Sequence, residues 1–357
     1  MSLPNIRPED LGVAKTLLAP LASLYGGVVK TKSLLYAKGI FKRHRLGAPV
    51  ISVGNLTTGG TGKTSLVIEL ARTLVKDDFR ICVLTRGYGR ESPRARVIVS
   101  DGENLTTDIA AAGDEPRLIA ESVPGVTVIA DPDRAAAGKW AINNLGSNLF
   151  LLDDGFQHLR IERDIDIVTI DATNPWGGGY LLPRGLLREQ KSSLSRAHIV
   201  LITRANQTNE ISKLKQEVMG LNKKVKVFTS DIKITSFRSL NTAEQISMDD
   251  LLAEKTTLAA FCGIGNPHSF FRLLEESGLN IVHACEFGNH HHYSTNDIED
   301  LCVSAETSGA GALITTAKDA VKLNAGDFGL PCYVALTSME IENREDFLVE
   351  IYHAIES

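Results

Sequence analysis

The chain reads as an α/β protein: a mostly parallel sheet with helices on both faces, followed by a second, smaller α/β unit. Three observations predict this. Short, continuous apolar runs alternate with stretches of helical period, the pattern of strands covered on both faces. One run, Val50–Val53, leads through a glycine-rich turn into a helical stretch that opens with Lys63-Thr64. After a break near residue 238 the alternation resumes on a smaller scale.

Taken in order, residues 1–48 stand apart. Arg7, Lys15, Lys30, Lys32, Lys38, Lys42, Arg43 and Arg45 face only Glu9 and Asp10, and between them lie Leu17, Leu21, Leu24, Val28, Leu34, Ile40 and Phe41. Basic and apolar residues interleaved in this way suit a helix lying on an anionic membrane surface. A helix packed on the protein's own core with a solvated basic face is the other reading, and this stretch alone leaves both open. The uncharged run Leu17–Val29 falls short of the roughly 18 residues that span a bilayer, and Pro20, Gly26 and Gly27 interrupt it. No transmembrane helix is expected, and the run makes a poor signal peptide because the basic residues lie mainly after it.

Residues 49–222 form the main domain. Its strands are expected at Val50–Val53, Ile81–Thr85, Val97–Val99, Val126–Ala130, Leu149–Leu152, Ile165–Ile170 and Ile199–Thr203. Helices are expected at Thr64–Val75, where Leu66, Leu70 and Leu74 repeat at helical spacing, and at Glu115–Glu121, Asp133–Asn143 and Ser192–Arg196. Residues 223–238 read as a linker of two strands around Ser230-Asp231. Residues 239–357 form the smaller domain, with strands from Thr257, Ile281, Ala312 and Cys332 and helices from Pro267, Thr295 and Asn343, the last expected to pack back on the main domain.

With 357 residues, 43% hydrophobic and 23% charged, two soluble domains of ordinary size are accommodated. A net charge of -5 argues against general nucleic-acid binding. Five scattered cysteines without a C-x-x-C pair point to free thiols in a reducing compartment.

The chemistry begins at residues 54–64. A strand, a glycine-rich turn and a helix opening with Lys-Thr form a phosphate-binding loop, so the fold is P-loop NTPase-like. Thr57, Thr58, Gly59, Gly60, Thr61, Gly62, Lys63 and Thr64 are the nucleotide-binding candidates. Backbone N–H groups and the helix N-terminus attract phosphate, Lys63 reaches its oxygens and Thr64 ligates Mg²⁺. The strict motif has glycine where Thr57 stands. Leu149–His158 is an apolar strand ending in acid, a Walker B pattern, and Asp153 or Asp154 holds the metal. Asp114 begins a helix: alone it is an N-cap, beside a nucleotide it is a candidate base. Arg86 follows the second strand, and a loop from Gly177 to Arg188-Glu189 is placed to close over phosphates. Among His290, His291 and His292, one facing a cleft would suit proton transfer.

These segments together resemble the tetraacyldisaccharide 4′-kinase (lipid A 4′-kinase) family. The resemblance rests on Val53–Thr64, Arg86-Gly-Tyr-Gly89, Gly113-Asp-Glu-Pro116, Asp153-Asp-Gly-Phe-Gln-His158, Leu181–Glu189, Gly263-Ile-Gly-Asn-Pro267, His290-His291 and Lys318-Asp319-Ala320. It makes Thr57 a family trait. It implies ATP-dependent phosphorylation of the 4′-hydroxyl of a lipid A disaccharide 1-phosphate, giving a lipid IVA-type product. It implies Asp114 with His290 as base (His291 in reserve), Lys63 and Arg188 as catalytic cations, and Mg²⁺ among Thr64, Asp153 or Asp154, Gln157 and Glu189. Arg86, Glu115, His158 and His291 would meet substrate or its phosphate. Asn289 stands where the family usually has Asp. Domain closure would complete the site. The partners implied are the lipid-linked acceptor and an anionic membrane surface, with no nucleic acid, for a monomer held peripherally at the cytoplasmic face of the inner membrane. The competing readings are a GTPase or metallochaperone-like switch, for which Thr203-Arg204-Ala205-Asn206 lacks the aspartate that pairs with guanine, and a non-catalytic ATP-dependent membrane-surface module.

Overall fold

A computed structural model describes residues 14–90 and 92–356. Arg7, Glu9 and Asp10 lie outside the described residues, as does the side chain of Lys15. The described chain divides into two units: a larger one from its residues up to 112, 119–231 and from 339 on, and a smaller one from 113–118 and 232–338.

In the larger unit, β1 (Val50–Asn55), β2 (Ile81–Thr85), β3 (Val97–Asp101), β4 (Thr127–Ala130), β5 (Leu149–Asp153), β6 (Ile165–Asp171), β7 (Ile199–Thr203) and the start of β8 (Lys226–Ser239) pair in the order β8-β7-β6-β1-β5-β2-β4-β3. Every pair is parallel except β3 with β4. Successive residues of a strand point to opposite faces. Ile51 and Val53 therefore meet Leu66, Leu70 and Leu74 of helix Lys63–Lys76 and Phe347 of helix Arg344–Glu356. Val168 and Ile170 meet Leu214 and Val218 of helix Ile211–Leu221 on the opposite face. Both faces are covered, which is why the strands read as unbroken apolar runs.

The smaller unit carries the rest of β8, the short β9 (Gln245–Ile246), β10 (Leu258–Cys262), β11 (Ile281–Glu286), β12 (Ala312–Thr316) and β13 (Cys332–Ile341). Its parallel pairs run β11-β10-β12-β13, and β9 joins β8 antiparallel. Phe270, Phe271 and Leu274 of helix Pro267–Glu276 cover one face, while Ile298, Leu301 and Ala305 of helix Thr295–Thr307 cover the other.

Two readings change. Residues 223–238 are not two strands: β8 runs unbroken through Ser230-Asp231. Ser230 lies in register with Thr203 of β7, and Asp231 Oδ1 accepts from the Asn206 amide at 2.8 Å. Asp231, which signalled a turn, is satisfied by a neighbour remote in sequence, while Ser230 is held by its backbone register with β7. Residues 113–118 group with the smaller unit although the sequence boundaries put them in the main domain. Their side chains bond there, as described next.

Candidate active site

The phosphate loop is built between strands. Gly62, at φ 80°, turns the chain into helix Lys63–Lys76 without a side-chain cap, leaving the first-turn amides as an anion site. The loop is gripped from the ends of β6 and β7. Thr61 Oγ1 lies 2.7 Å from Thr169 Oγ1 and accepts from Asn55 Nδ2 at 2.9 Å. Thr203 Oγ1 donates to the Thr61 carbonyl at 3.2 Å. Arg204 Nη1 donates to the Gly60 carbonyl at 2.8 Å and to Asp171 Oδ2 at 2.7 Å. Thr57 bridges antiparallel to Leu187, with the Thr58 amide on the Leu186 carbonyl at 2.8 Å and the Arg188 amide on the Leu56 carbonyl at 2.7 Å. Its backbone is locally strand-like and not at positive φ, so this position does not need glycine. Thr58 and Gly59 continue the loop.

The parallel register of β1 with β5 sets Asp153 beside Val53, at the mouth of the loop. Asp153 is buried and accepts from Thr85 Oγ1 at 3.3 Å. Asp154, at φ 51°, turns the other way. Its carboxylate takes the fork of Arg188 at 2.8 and 2.7 Å and lies 3.8 Å from Lys63 Nζ. Burial raises the Asp154 carboxyl, but the Arg188 hydrogen bonds and the charges of Lys63, Arg188 and Arg134 outweigh it and hold it well below the usual range. Arg188 also donates to Asn55 Oδ1, which ties the fork to the start of the loop. Gln157 Nε2 donates to the Asn55 carbonyl at 3.0 Å. Both oxygens of Glu189 are taken by Arg196, at 2.9 and 3.0 Å. His158 is pushed down to about 3, by burial first and then by Arg134, Lys32, Arg163 and Arg160. Arg86 is exposed just past β2. The helix Ala19–Ala37 reaches this cluster through Tyr25 Oη on the Arg188 carbonyl at 3.0 Å and Lys32 Nζ on the Gln157 carbonyl at 3.3 Å.

In the smaller unit, His290 Nδ1 lies 2.7 Å from Asp114 Oδ2. Burial raises the Asp114 carboxyl, but the His290 hydrogen bond and the charges of Lys318, His290 and Lys322 prevail and leave it below its ordinary value. Asp114 is thus an ionised, buried carboxylate with an imidazole against it. Glu115 pairs with Lys318 at 2.8 Å. His291 is used differently: its Nε2 lies 3.1 Å from Asp297 Oδ2, and its ring packs 4.8 Å from Phe287 and 5.1 Å from Tyr293. His292 and Asn289 are exposed. Of the adjacent histidines, the geometry pairs His290 with the acid.

A family model described as Tetraacyldisaccharide-1-P 4'-kinase matches residues 14–355. The chain belongs to this family. It is 40% identical over 322 residues to the tetraacyldisaccharide 4'-kinase of Geobacter sulfurreducens, covering 89% of this chain and 88% of that protein. It is 37% identical over 322 residues to that of Halothermothrix orenii, covering 87% and 83%. Among solved structures it resembles the "apo" form of LpxK from Aquifex aeolicus in complex with ATP, with a TM-score of 0.77 and 31% identity, covering 96% of this chain and all of the other. The chain is therefore an enzyme, a kinase with an alcohol group as acceptor.

Sequence reasoning on this kinase missed four residues. Arg134, buried at the start of helix Arg134–Leu145, donates to the Asp154 carbonyl at 3.3 Å. Arg196 neutralises Glu189. Asp171 and Arg204 hold the loop from behind. Only Arg204 carried a signal, as the residue that follows β7 where a guanine motif would lie, and its guanidinium turns inward to the loop instead. The donors fit a Mg²⁺ ion: Gln157 Oε1 is buried with no hydrogen-bond partner among the described residues, Asp153 is buried at the mouth of the loop, and Thr64 stands at the helix start. No group of three or more His, Cys, Asp or Glu suited to a metal occurs among the described residues; Mg²⁺ held through nucleotide phosphates needs only one or two carboxylates.

Proposed function

We propose that this kinase transfers the γ-phosphoryl group of Mg-ATP to the 4′-hydroxyl of tetraacyldisaccharide 1-phosphate in lipid A and lipopolysaccharide biosynthesis. The observation that carries the reading is the 2.7 Å contact of His290 with Asp114, which supplies a chain of this family with a base for a hydroxyl acceptor. Asp114, oriented by His290, accepts the hydroxyl proton. Residues 57–64 hold the triphosphate, and Lys63 meets the β- and γ-oxygens. Arg188, held in the plane of its fork by Asp154 and Asn55, stabilises charge on the transferring group. Thr64, Asp153 and Gln157 would hold Mg²⁺ directly or through water, and the bound ion would neutralise charge on the phosphates. Glu189, neutralised by Arg196, stands behind the loop that presents Arg188. Arg86, His158 and Glu115 meet the acceptor or its phosphate.

The acceptor is a lipid, and the enzyme works at the anionic cytoplasmic face of the inner membrane, as a monomer. Support comes from helix Ala19–Ala37, which buries only Ala22 and Gly26 while Leu24 and Val28 are 68% and 62% exposed. Lysines 30, 32 and 38 flank this apolar surface, and the same helix contacts the Arg188 loop through Tyr25. No helix among the described residues is long and apolar enough to cross a membrane. Purified enzyme with Mg-ATP should phosphorylate detergent-dispersed tetraacyldisaccharide 1-phosphate at the 4′ position, read by mass and phosphorus NMR. A preparation that binds ATP yet transfers nothing to dispersed acceptor overturns the reading.

A further inference from the structure

Of two segments singled out in the sequence, Gly263–Pro267 and Lys318-Asp319-Ala320, only Lys318 enters the chemistry above. In the structure they meet around Asp319, a carboxylate with no exposed surface. Asp319 Oδ2 accepts from the Gly263 amide at 3.0 Å and from Thr316 Oγ1 at 2.7 Å. Its Oδ1 accepts from Lys322 Nζ at 3.0 Å. The Gly263 and Lys322 contacts lead on to the backbone around His290. The Gly263 carbonyl accepts from the His290 amide at 3.1 Å. Lys322 Nζ also donates to the His291 carbonyl at 3.0 Å. The backbone on both sides of the His290 side chain is therefore tied to one buried ion pair. His290 itself sits at φ 60°, a left-handed conformation that a non-glycine residue holds only when its surroundings impose it. Gly263 is part of the frame: a Cβ there would lie 3.0 Å from the Gly288 carbonyl oxygen and 3.2 Å from Asp319 Oδ1.

We infer that Asp319 and Lys322 are positioning residues, whose pairing with the Gly263 turn imposes the backbone of His290 and so aims its ring at Asp114. A buried ion pair seldom adds net stability over an apolar pair of the same size. Here it fixes one conformation of a strained turn. The inference rests on the proposed roles of Asp114 and His290 in the transfer.

The test uses the full-length enzyme. Asp319→Asn and Lys322→Met should lower kcat with dispersed tetraacyldisaccharide 1-phosphate by roughly 10–100-fold, the cost of a misplaced catalytic group, with KM for ATP unchanged. Lys322→Arg should restore most of the loss. In histidine-labelled protein the ring signal of His290 should move in both variants while that of His198 stays. If Asp319→Asn does not fold, Lys322→Met and Gly263→Ala decide. An unchanged kcat together with an unmoved His290 signal in folded Lys322→Met overturns the inference, as does a loss of ATP binding equal to the loss of turnover. Absence of transfer by the unsubstituted enzyme would instead defeat the proposed function, and the His290 signal would still decide the positioning role.

Discussion

Arg188 presents a planar fork to Asp154 and reaches Asn55 with the same group, so its orientation is set on two sides. A lysine keeps the charge but not the fork. Arg188→Lys should therefore lower kcat by roughly 10–100-fold, as loss of a placed charge-stabilising donor does, while ATP binding measured by titration calorimetry changes little. A fall in affinity matching the fall in rate would make Arg188 a ground-state binding residue. His158 is held near 3 by burial and surrounding cations. Its ring signals should show no titration between pH 8 and pH 5 in the folded enzyme; a midpoint near 6.5 would contradict the burial argument. The linkage has a definite sign. Below about 6.5 the unfolded chain binds a proton there that the folded chain refuses. This residue's contribution is present above 6.5 and is lost as pH falls toward 3. Asp154 and Asp114, both held below the usual carboxylate range, contribute stability that is present above the unfolded carboxylate value and is lost only as pH falls through their lowered values.

Helix Ala19–Ala37 shows why amphipathic pattern alone could not decide its surroundings. Its apolar residues are spread around the axis, so sequence left core packing and membrane contact equally open. The structure buries only the small residues Ala22 and Gly26, with Leu181 packed where a Cβ of Gly26 would lie. Leu24→Glu with Val28→Glu places charge on the exposed face without touching that contact. Sedimentation with anionic liposomes should drop several-fold while ATP binding stays intact, and undiminished sedimentation would sink the membrane assignment. The strands of the larger unit were legible because burial on both faces writes itself as a continuous apolar run. The single strand β8 was not, since its polar middle is kept extended by the Asn206 bond to Asp231 and by backbone pairing with β7, contacts that no local pattern shows. Helix Ile211–Leu221 was missed for a related reason: only Leu214 and Val218 of its residues are fully buried, too weak a period to stand out.

The phosphate loop lies in the larger unit and the proposed base in the smaller, and variants should separate their roles. Lys63→Ala should abolish ATP binding while leaving the His290 ring signal in place. Asp114→Asn should cut turnover by roughly 100-fold or more, the upper range of a general base's contribution, with ATP affinity retained. Parallel losses of affinity and rate in Asp114→Asn would place that residue in the nucleotide site. The sequence by itself determined the strand–glycine loop–helix that binds phosphate, the acid ending β5, the alternation that dictates a parallel sheet, and through its motifs the family. These are local patterns, and local chemistry sets them. Tertiary structure decided which histidine meets Asp114, that residues 113–118 join the smaller unit, that Asp154 is occupied by Arg188 while Asp153 remains beside Thr85, and that Glu189 is neutralised by Arg196. Each of these depends on which side chains the fold brings together, most of them from distant segments, and only packing fixes which donor reaches which acceptor.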